Sequence, residues 1–207
     1  MPTKRPREEL STARTLSEST RDRIEEAAFT EFARYGIAGA RMDRIAKEAK
    51  TSKERIYAYF RSKEHLYGQT AAREFAVIAD AAHLDPGDLP EYAGVLFDYF
   101  AAHPDRHRLI VWGRLELTDP ASLDDNLYGD AIARKASQIA QAQREGRLPS
   151  SWDPNHILAL INQIATTWAS QPEFDRVHER YSTDSMAERR VAVVRAVAAI
   201  FPAADST

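Results

Sequence analysis

Two short apolar stripes, separated by a capped turn, constrain this chain more than any other feature of it. Met42, Ile45, Ala46 and Ala49 recur at i, i+3, i+4 and i+7, one face of a helix two turns long. Thr51 and Ser52 interrupt the pattern with N-cap chemistry, and Thr51-x-x-Glu54 has the spacing of a capping box. A second helix follows, with Ile56 and Phe60, four apart, as its inner edge. Its other faces carry Lys53, Arg55, Tyr57 and Tyr59, which suit a phosphate backbone better than a protein core. The window 41–63 holds eight Lys and Arg against three Asp and Glu, in a chain of net charge −3. These features predict a helix-turn-helix with residues 52–60 as the recognition helix. An isolated helix pair with a basic face is often only a solvated surface, so the reading depends on what surrounds it.

The surroundings support it. Residues 1–67 hold 15 Lys and Arg against 11 Asp and Glu, and residues 68–207 hold 13 against 20. A basic head on an acidic body predicts nucleic acid at one end only. With 43% hydrophobic and 29% charged residues among 207, the composition is that of an ordinary globular protein. No apolar run approaches the ~20 residues a bilayer span needs, so no membrane partner is expected. The first residues lack the apolar core of a signal peptide, which predicts a cytoplasmic chain. There is no cysteine, which excludes disulfides, thiolate catalysis and cysteine-based metal sites.

Taken in order, residues 1–18 mix Pro, Ser, Thr and charge without apolar periodicity and are expected to form a disordered arm. From Ser19 or Thr20 a helix runs to Tyr35, with Ile24, Ala27, Ala28, Phe32 and Tyr35 inward and Gly36 as its C′ residue. With the motif helices it completes a three-helix head over 19–67. Ser62 caps a helix reaching about Ala82, with Leu66, Ala71, Phe75, Ile78 and Ala82 inward. Asp85-Pro86-Gly87 is a turn, after which helices are expected from Pro90 to Ala102 and from Pro104 through Leu117. Asp119-Pro120 and Asp153-Pro154 pair an N-cap with Pro at the first helical position. The helix from Ala121 should end at Gly146. Between 154 and 170, Ile157, Leu160, Ile161, Ile164 and Trp168 form one stripe, widened by Leu158 and Ala165. Ser185-x-x-Glu188 opens a last helix with two stripes, Val191, Val194, Ala198, Phe201 and Val193, Val197, Ile200. A helix with one covered face needs one stripe, so the second implies a partner surface. No stretch alternates like a strand. The predicted fold is all-α, a helix-turn-helix head with a larger helical body over 68–207.

Catalytic and metal chemistry finds no support. His103 and His107 are four apart, but Pro104 lies between them and no carboxylate cluster completes a ligand shell. No nucleophile elbow, phosphate loop or dinucleotide fingerprint occurs. The chain is therefore expected to be no enzyme and to carry no cofactor or metal.

Ile24…Ala27-Ala28-Phe29…Phe32…Gly36, then Met42-x-x-Ile45-Ala46-x-x-Ala49, then Ser52…Ile56-Tyr57-x-Tyr59-Phe60-x-Ser62-Lys63-Glu64-x-Leu66, resembles the N-terminal domain of TetR-family transcriptional regulators. Residues 20–67, roughly a quarter of the chain, carry the likeness. Lys50-Thr51 departs from the family's usual Gly and apolar residue in the turn, and a side chain in a left-handed conformation costs about 1 kcal/mol. Lys53-Glu54-Arg55 is bulkier and more charged than the small residues common there. The resemblance implies a repressor that binds a palindromic operator in double-stranded DNA as a homodimer and is released by a small-molecule effector. It implies DNA contacts from Lys53, Arg55, Tyr57, Tyr59 and Lys63, with Arg41 and Arg44 near flanking phosphates and Thr51 and Ser52 at the helix start. It also implies a dimer through the two C-terminal helices, at Ile157, Ile161, Ile164, Val193, Val197 and Ile200. An effector pocket among the middle helices would use Phe75, Tyr99, Trp112, Glu116, Tyr128, Asn162, Gln163 and Trp168. Two rivals stay open at this point: a ligand-independent architectural DNA-binding dimer, and a helical carrier or enzyme that has kept the head.

Overall fold

The computed structural model describes residues 7–117, 127–171, 173–174 and 185–202, with side chains from Thr20 onward and none at 127–128. The described backbone is helical, with no strand among the described residues. It divides into two compact units, one of residues up to 73 and from 108 to 125, the other of 74–107 and from 126 on. The sequence predicts one body over 68–207, whereas 68–73 and 108–125 group with the first unit.

The first unit contains α1 (Arg7–Gly39), α2 (Met42–Glu48) and α3 (Lys53–Tyr59). It also takes the first part of α4 (Lys63–Ala81) and the last part of α6 (Pro104–Glu116). Helix α1 begins at Arg7, so residues 7–18 differ from the disordered arm expected there. The sequence gives the reason: no Pro or Gly interrupts Arg7 to Tyr35, and Glu8 and Glu9 sit where the helix dipole favours anions. Residues 1–6 lie outside the described residues. Ile24, Ala27, Ala28 and Phe32 are buried as expected, whereas Tyr35 stays 39% exposed. Met42, Ile45 and Ala46 of α2 and its C-cap Ala49 share a core with Ile56 and Phe60, all 6% exposed or less.

The second unit contains the rest of α4 and α6, with α5 (Leu89–Ala102), α7 (Leu127–Arg144), α8 (Pro154–Ala165), α9 (Thr167–Ser170) and α10 (Met186–Ile200). Helix α5 starts one residue before the expected Pro90, because Asp88 caps it by accepting from Glu91 N. The expected caps of α8 and α10 form: Asp153 accepts from Asn155 N, and Ser185 and Glu188 make a reciprocal capping box. The Asp119-Pro120 cap and the start at Ala121 lie outside the described residues. The single helix expected over 154–170 breaks at Thr166, whose hydroxyl donates back to Asn162 O at 2.8 Å. Such back-bonding bends helices, and it takes Trp168 out of register with the α8 stripe. The inward face of α8 is therefore Ile157, Leu158, Ile161 and Ala165, while Leu160 is 38% exposed.

Candidate nucleic-acid interface

The turn between α2 and α3 sets the geometry of the candidate site. Thr51 N donates to Ala46 O at 2.9 Å and Lys50 N to Lys47 O at 3.2 Å, the paired bonds of a Schellman closure. That closure needs a left-handed residue at C′. Lys50 supplies it at φ +52°, the only positive φ at a residue other than glycine among the described residues. Roughly 1–2 kcal/mol of backbone strain is held there. From α1, Arg23 Nε donates to Ala49 O at 3.2 Å and fixes the end of α2.

With its N–H committed to the closure, Thr51 is not the cap of α3. Ser52 is the cap, extended at φ −97° and ψ 158°, its hydroxyl accepting from Arg55 N at 3.2 Å. The expected Thr51-x-x-Glu54 box is corrected accordingly. The Glu54 carboxyl is held below its usual pKa by its own backbone N–H and by the Ser52 hydroxyl.

The cations of the motif fall into two groups. Arg44, expected near phosphate, is held by Glu31: its Nε donates to Glu31 Oε1 at 2.8 Å and its guanidinium stacks 4.3 Å from the Tyr35 ring centroid. The hydrogen bond to Glu31 raises the Arg44 pKa further, so the arginine stays charged while its charge is locally cancelled. The same Glu31 Oε1 accepts Arg41 N at 2.8 Å and so fixes the start of α2. Lys63 Nζ donates to Ala38 O at 3.2 Å and Ala40 O at 3.5 Å, tying α4 to the chain just before α2. Lys53 lies 3.3 Å from Asp43, a solvated pair worth ~0–1 kcal/mol that a phosphate can displace.

The second group faces water. The Arg41 and Arg55 side chains are exposed, and Tyr57 is 45% exposed. Tyr59 is half-buried, its ring 6.3 Å from that of Phe60. Arg55 and Tyr57 thus stand on the outer face of α3, while Ile56 and Phe60 anchor its inner face at 0% exposure. A short helix mounted this way presents a cation and a phenol to a groove with little freedom to retreat.

Sequence reasoning missed Glu31, whose signal was its place on the inward stripe of α1 between Ala28 and Tyr35. A carboxylate 8% exposed on an apolar face requires partners, and Arg41 N and Arg44 are those partners. Glu116 was read as a pocket residue, yet in the first unit its Oε2 accepts Ile37 N at 2.6 Å and Ala38 N at 2.8 Å. Gly36, at φ +72° and ψ −179°, ends the regular helix that was expected up to Tyr35, a short second helical piece following it within α1, and a Cβ at Gly36 would stand 2.9 Å from the Trp112 ring. Trp112 and Glu116 therefore brace the head within the first unit.

The other pocket candidates belong to the second unit. Tyr99 accepts from Arg106, which is 3.2 Å from buried Glu74, and Trp168 meets Phe97 edge to face at 5.9 Å. Phe75 is half-buried, Asn162 donates to Leu158 O at 2.8 Å, and Gln163 is exposed. The Tyr128 side chain lies outside the described residues. His103 caps the end of α5 and buried His107 is 3.2 Å from Ser170 Oγ, so the two do not share one helix face.

The partner surface needs the largest correction. Ile157, Ile161, Val193 and Val197 are each 2% exposed or less in the single chain, where α10 packs on α5 and α8. They form this unit's own core and are unavailable to a second copy. Ile164 is half-buried, and only Ile200 of the six remains exposed, at 37%. Neither stripe is wholly covered: Val191 is 46% exposed on the other stripe while its Phe201 is 5% exposed.

Comparison with known proteins fits this arrangement. The family model described as "Bacterial regulatory proteins, tetR family" matches residues 24–70, and that described as "Tetracyclin repressor-like, C-terminal domain" matches residues 88–198. The HTH-type transcriptional repressor SCO4008 of Streptomyces coelicolor is 34% identical over 160 residues, covering 77% of this chain and 83% of the relative. The HTH-type transcriptional repressor NicS of Pseudomonas putida is 33% identical, covering 72% of this chain and 74% of its own. Among solved structures, SCO4942 of Streptomyces coelicolor, described as a transcriptional regulator, superposes with a TM-score of 0.77 at 56% identity, covering 88% of this chain and 98% of that one. These relatives are regulators, not enzymes. A helix-turn-helix head, an all-helical second unit and family models matched in both together establish that the chain belongs to the TetR family of bacterial transcriptional regulators.

Proposed function

We propose that the protein is a cytoplasmic transcriptional repressor that binds a palindromic operator as a homodimer and is released from it by a small-molecule effector. The observation that carries the reading is the outer face of α3, where Arg55 and Tyr57 project from a helix anchored by Ile56 and Phe60. Early in the recognition helix, Arg55 is placed to read a base edge, where a bidentate contact discriminates by ~1–3 kcal/mol. Arg41 and, after release from Asp43, Lys53 serve neighbouring phosphates. Repression, which the names of SCO4008 and NicS give to those proteins, comes to this chain by likeness.

Dimerisation is supported by exposed apolar side chains on the two C-terminal helices. Leu160 on α8 and Val191 and Ile200 on α10 remain 37–46% exposed, and Ala187, Val191, Ala192 and Arg195 line a shallow apolar hollow on α10. Effector binding falls to the second unit. Tyr99 with Arg106 and Glu74, and Trp168 with Phe97, put polar groups beside aromatic surface inside a helical bundle. One helix, α4, supplies residues to both units and is the natural carrier of the response.

The test is selection of genomic fragments bound by the full-length protein, followed by footprinting. A repressor of this kind protects two half-sites centred about 34–36 Å apart or a multiple of that. Uniform coverage without a repeated half-site would sink the operator reading and favour an architectural role. Compounds suggested by the neighbouring genes are then added to the bound complex. If none that binds the protein changes operator affinity, effector release fails by linkage.

A further inference from the structure

Lys50 has a position in the fold that the fold does not reward. Its backbone is forced to φ +52° by the Schellman closure and by Arg23 holding Ala49 O, a conformation that favours glycine. Its side chain is exposed and makes no hydrogen bond or ion pair among the described residues. A glycine would relax the turn, and an asparagine would tolerate it better than a lysine does. Strain at a site that gains no internal contact indicates a use outside the chain. The surroundings name that use. Lys50 sits between the two helices of the DNA-binding motif, three residues before Lys53, in a window whose Lys and Arg outnumber its Asp and Glu eight to three.

We infer that Lys50 is a DNA-backbone contact, a cation kept in a strained turn to engage a phosphate beside the recognition helix. A flexible ammonium with four methylenes suits this role, since a phosphate contact needs charge and reach but no fixed geometry. The contact is independent of sequence, so it adds affinity for any duplex and sharpens no base preference. The inference rests on α2 and α3 being the DNA-reading pair, which Arg55→Ala tests separately.

The experiment compares full-length wild type, Lys50→Gly, Lys50→Arg and Arg55→Ala by fluorescence anisotropy on labelled duplexes, one selected as an operator and one of random sequence, over a range of salt, together with thermal unfolding. Lys50→Gly should raise the unfolding midpoint by about 2–4 °C through relief of the backbone. It should also lower DNA affinity and flatten the slope of log K against log salt by about 0.9, one phosphate's worth of counterion release. Lys50→Arg, with the charge and the strain both kept, should retain the wild-type slope and midpoint. A Lys50→Gly protein that is more stable yet binds DNA with unchanged slope overturns the inference. So does one that loses affinity without gaining stability, since the residue would then not be strained. If Arg55→Ala and Lys50→Gly both leave binding untouched, the DNA-reading assignment of α2 and α3 itself falls.

Discussion

Replacing Gly36 by alanine tests whether α6 is structurally part of the DNA-binding head. At φ +72° and ψ −179°, a conformation open essentially to glycine alone, an alanine carries about 1–3 kcal/mol of backbone strain. Its Cβ would stand 2.6 Å from Glu116 Oε1 and 2.9 Å from the Trp112 ring, so one or both must withdraw. Withdrawal of the carboxylate releases the N–H groups of Ile37 and Ala38, now bonded at 2.6 and 2.8 Å. Bonds to a charged acceptor contribute about 1.5–3 kcal/mol each when buried, and Ala38 is exposed, so roughly 2 kcal/mol for the pair is the fair figure. With the strain, Gly36→Ala should destabilise the first unit by about 3–5 kcal/mol, measurable by urea unfolding. Glu116→Ala alone should cost about 2 kcal/mol, and the double variant less than the sum, because both remove the same two bonds. Fully additive losses, or a Gly36→Ala protein within 0.5 kcal/mol of wild type, would refute the brace.

Three other outcomes are expected. If the proposed dimer forms through this face, Val191→Glu should leave helicity intact but give monomers in sedimentation, whereas Val197→Ala, at 0% exposure, should lose about 1.5–3 kcal/mol of stability without changing the assembly state of the folded protein. Arg55→Ala should reduce discrimination between operator and mutated operator by ~1–3 kcal/mol in competition binding, whereas Lys63→Ala should weaken all duplexes alike and also lower stability through the freed Ala38 and Ala40 carbonyls. Burial pushes the Tyr67 hydroxyl, bonded to Leu109 O at 2.8 Å, from 10.0 up to about 12. Unfolding then favours its ionisation, so stability should fall as pH rises from about 10 through 12, and Tyr67→Phe should flatten that part of the pH-stability curve.

Much of the head was legible because its residues carry local information. The stripes of α2 and α3 and the inward run of α1 are periodic, and each periodic residue but Tyr35 is buried. The lysine in the turn is also legible as out of place, because a left-handed C′ position favours glycine. What could not be read were partners distant in sequence. Nothing near Glu116 in sequence points to Ile37 and Ala38, 79 and 78 residues away, and nothing near Arg44 says that Glu31 cancels its charge. The partner surface failed for a different reason. Periodicity showed two stripes on α10 and could not say which one α5 and α8 would cover. Val193 and Val197 are inside while Val191 and Ile200 are exposed, so the exposed apolar surface of α10 draws on both stripes.

Helices α2 and α3 have seven residues each. Isolated helices are marginal in water below ~12–15 residues, because the first turn fixes several dihedrals for a single hydrogen bond. Neither helix can therefore be nucleated by its own sequence, however good its cap. Both exist because α1 packs on α2 and α2 on α3, so the longer helix supplies the surface on which they condense. A peptide covering only residues 41–63 should be a coil. Reading of DNA is then a cooperative property of the whole core: groove contacts and phosphate contacts appear together when the core closes and vanish together when it opens, with no half-competent head between.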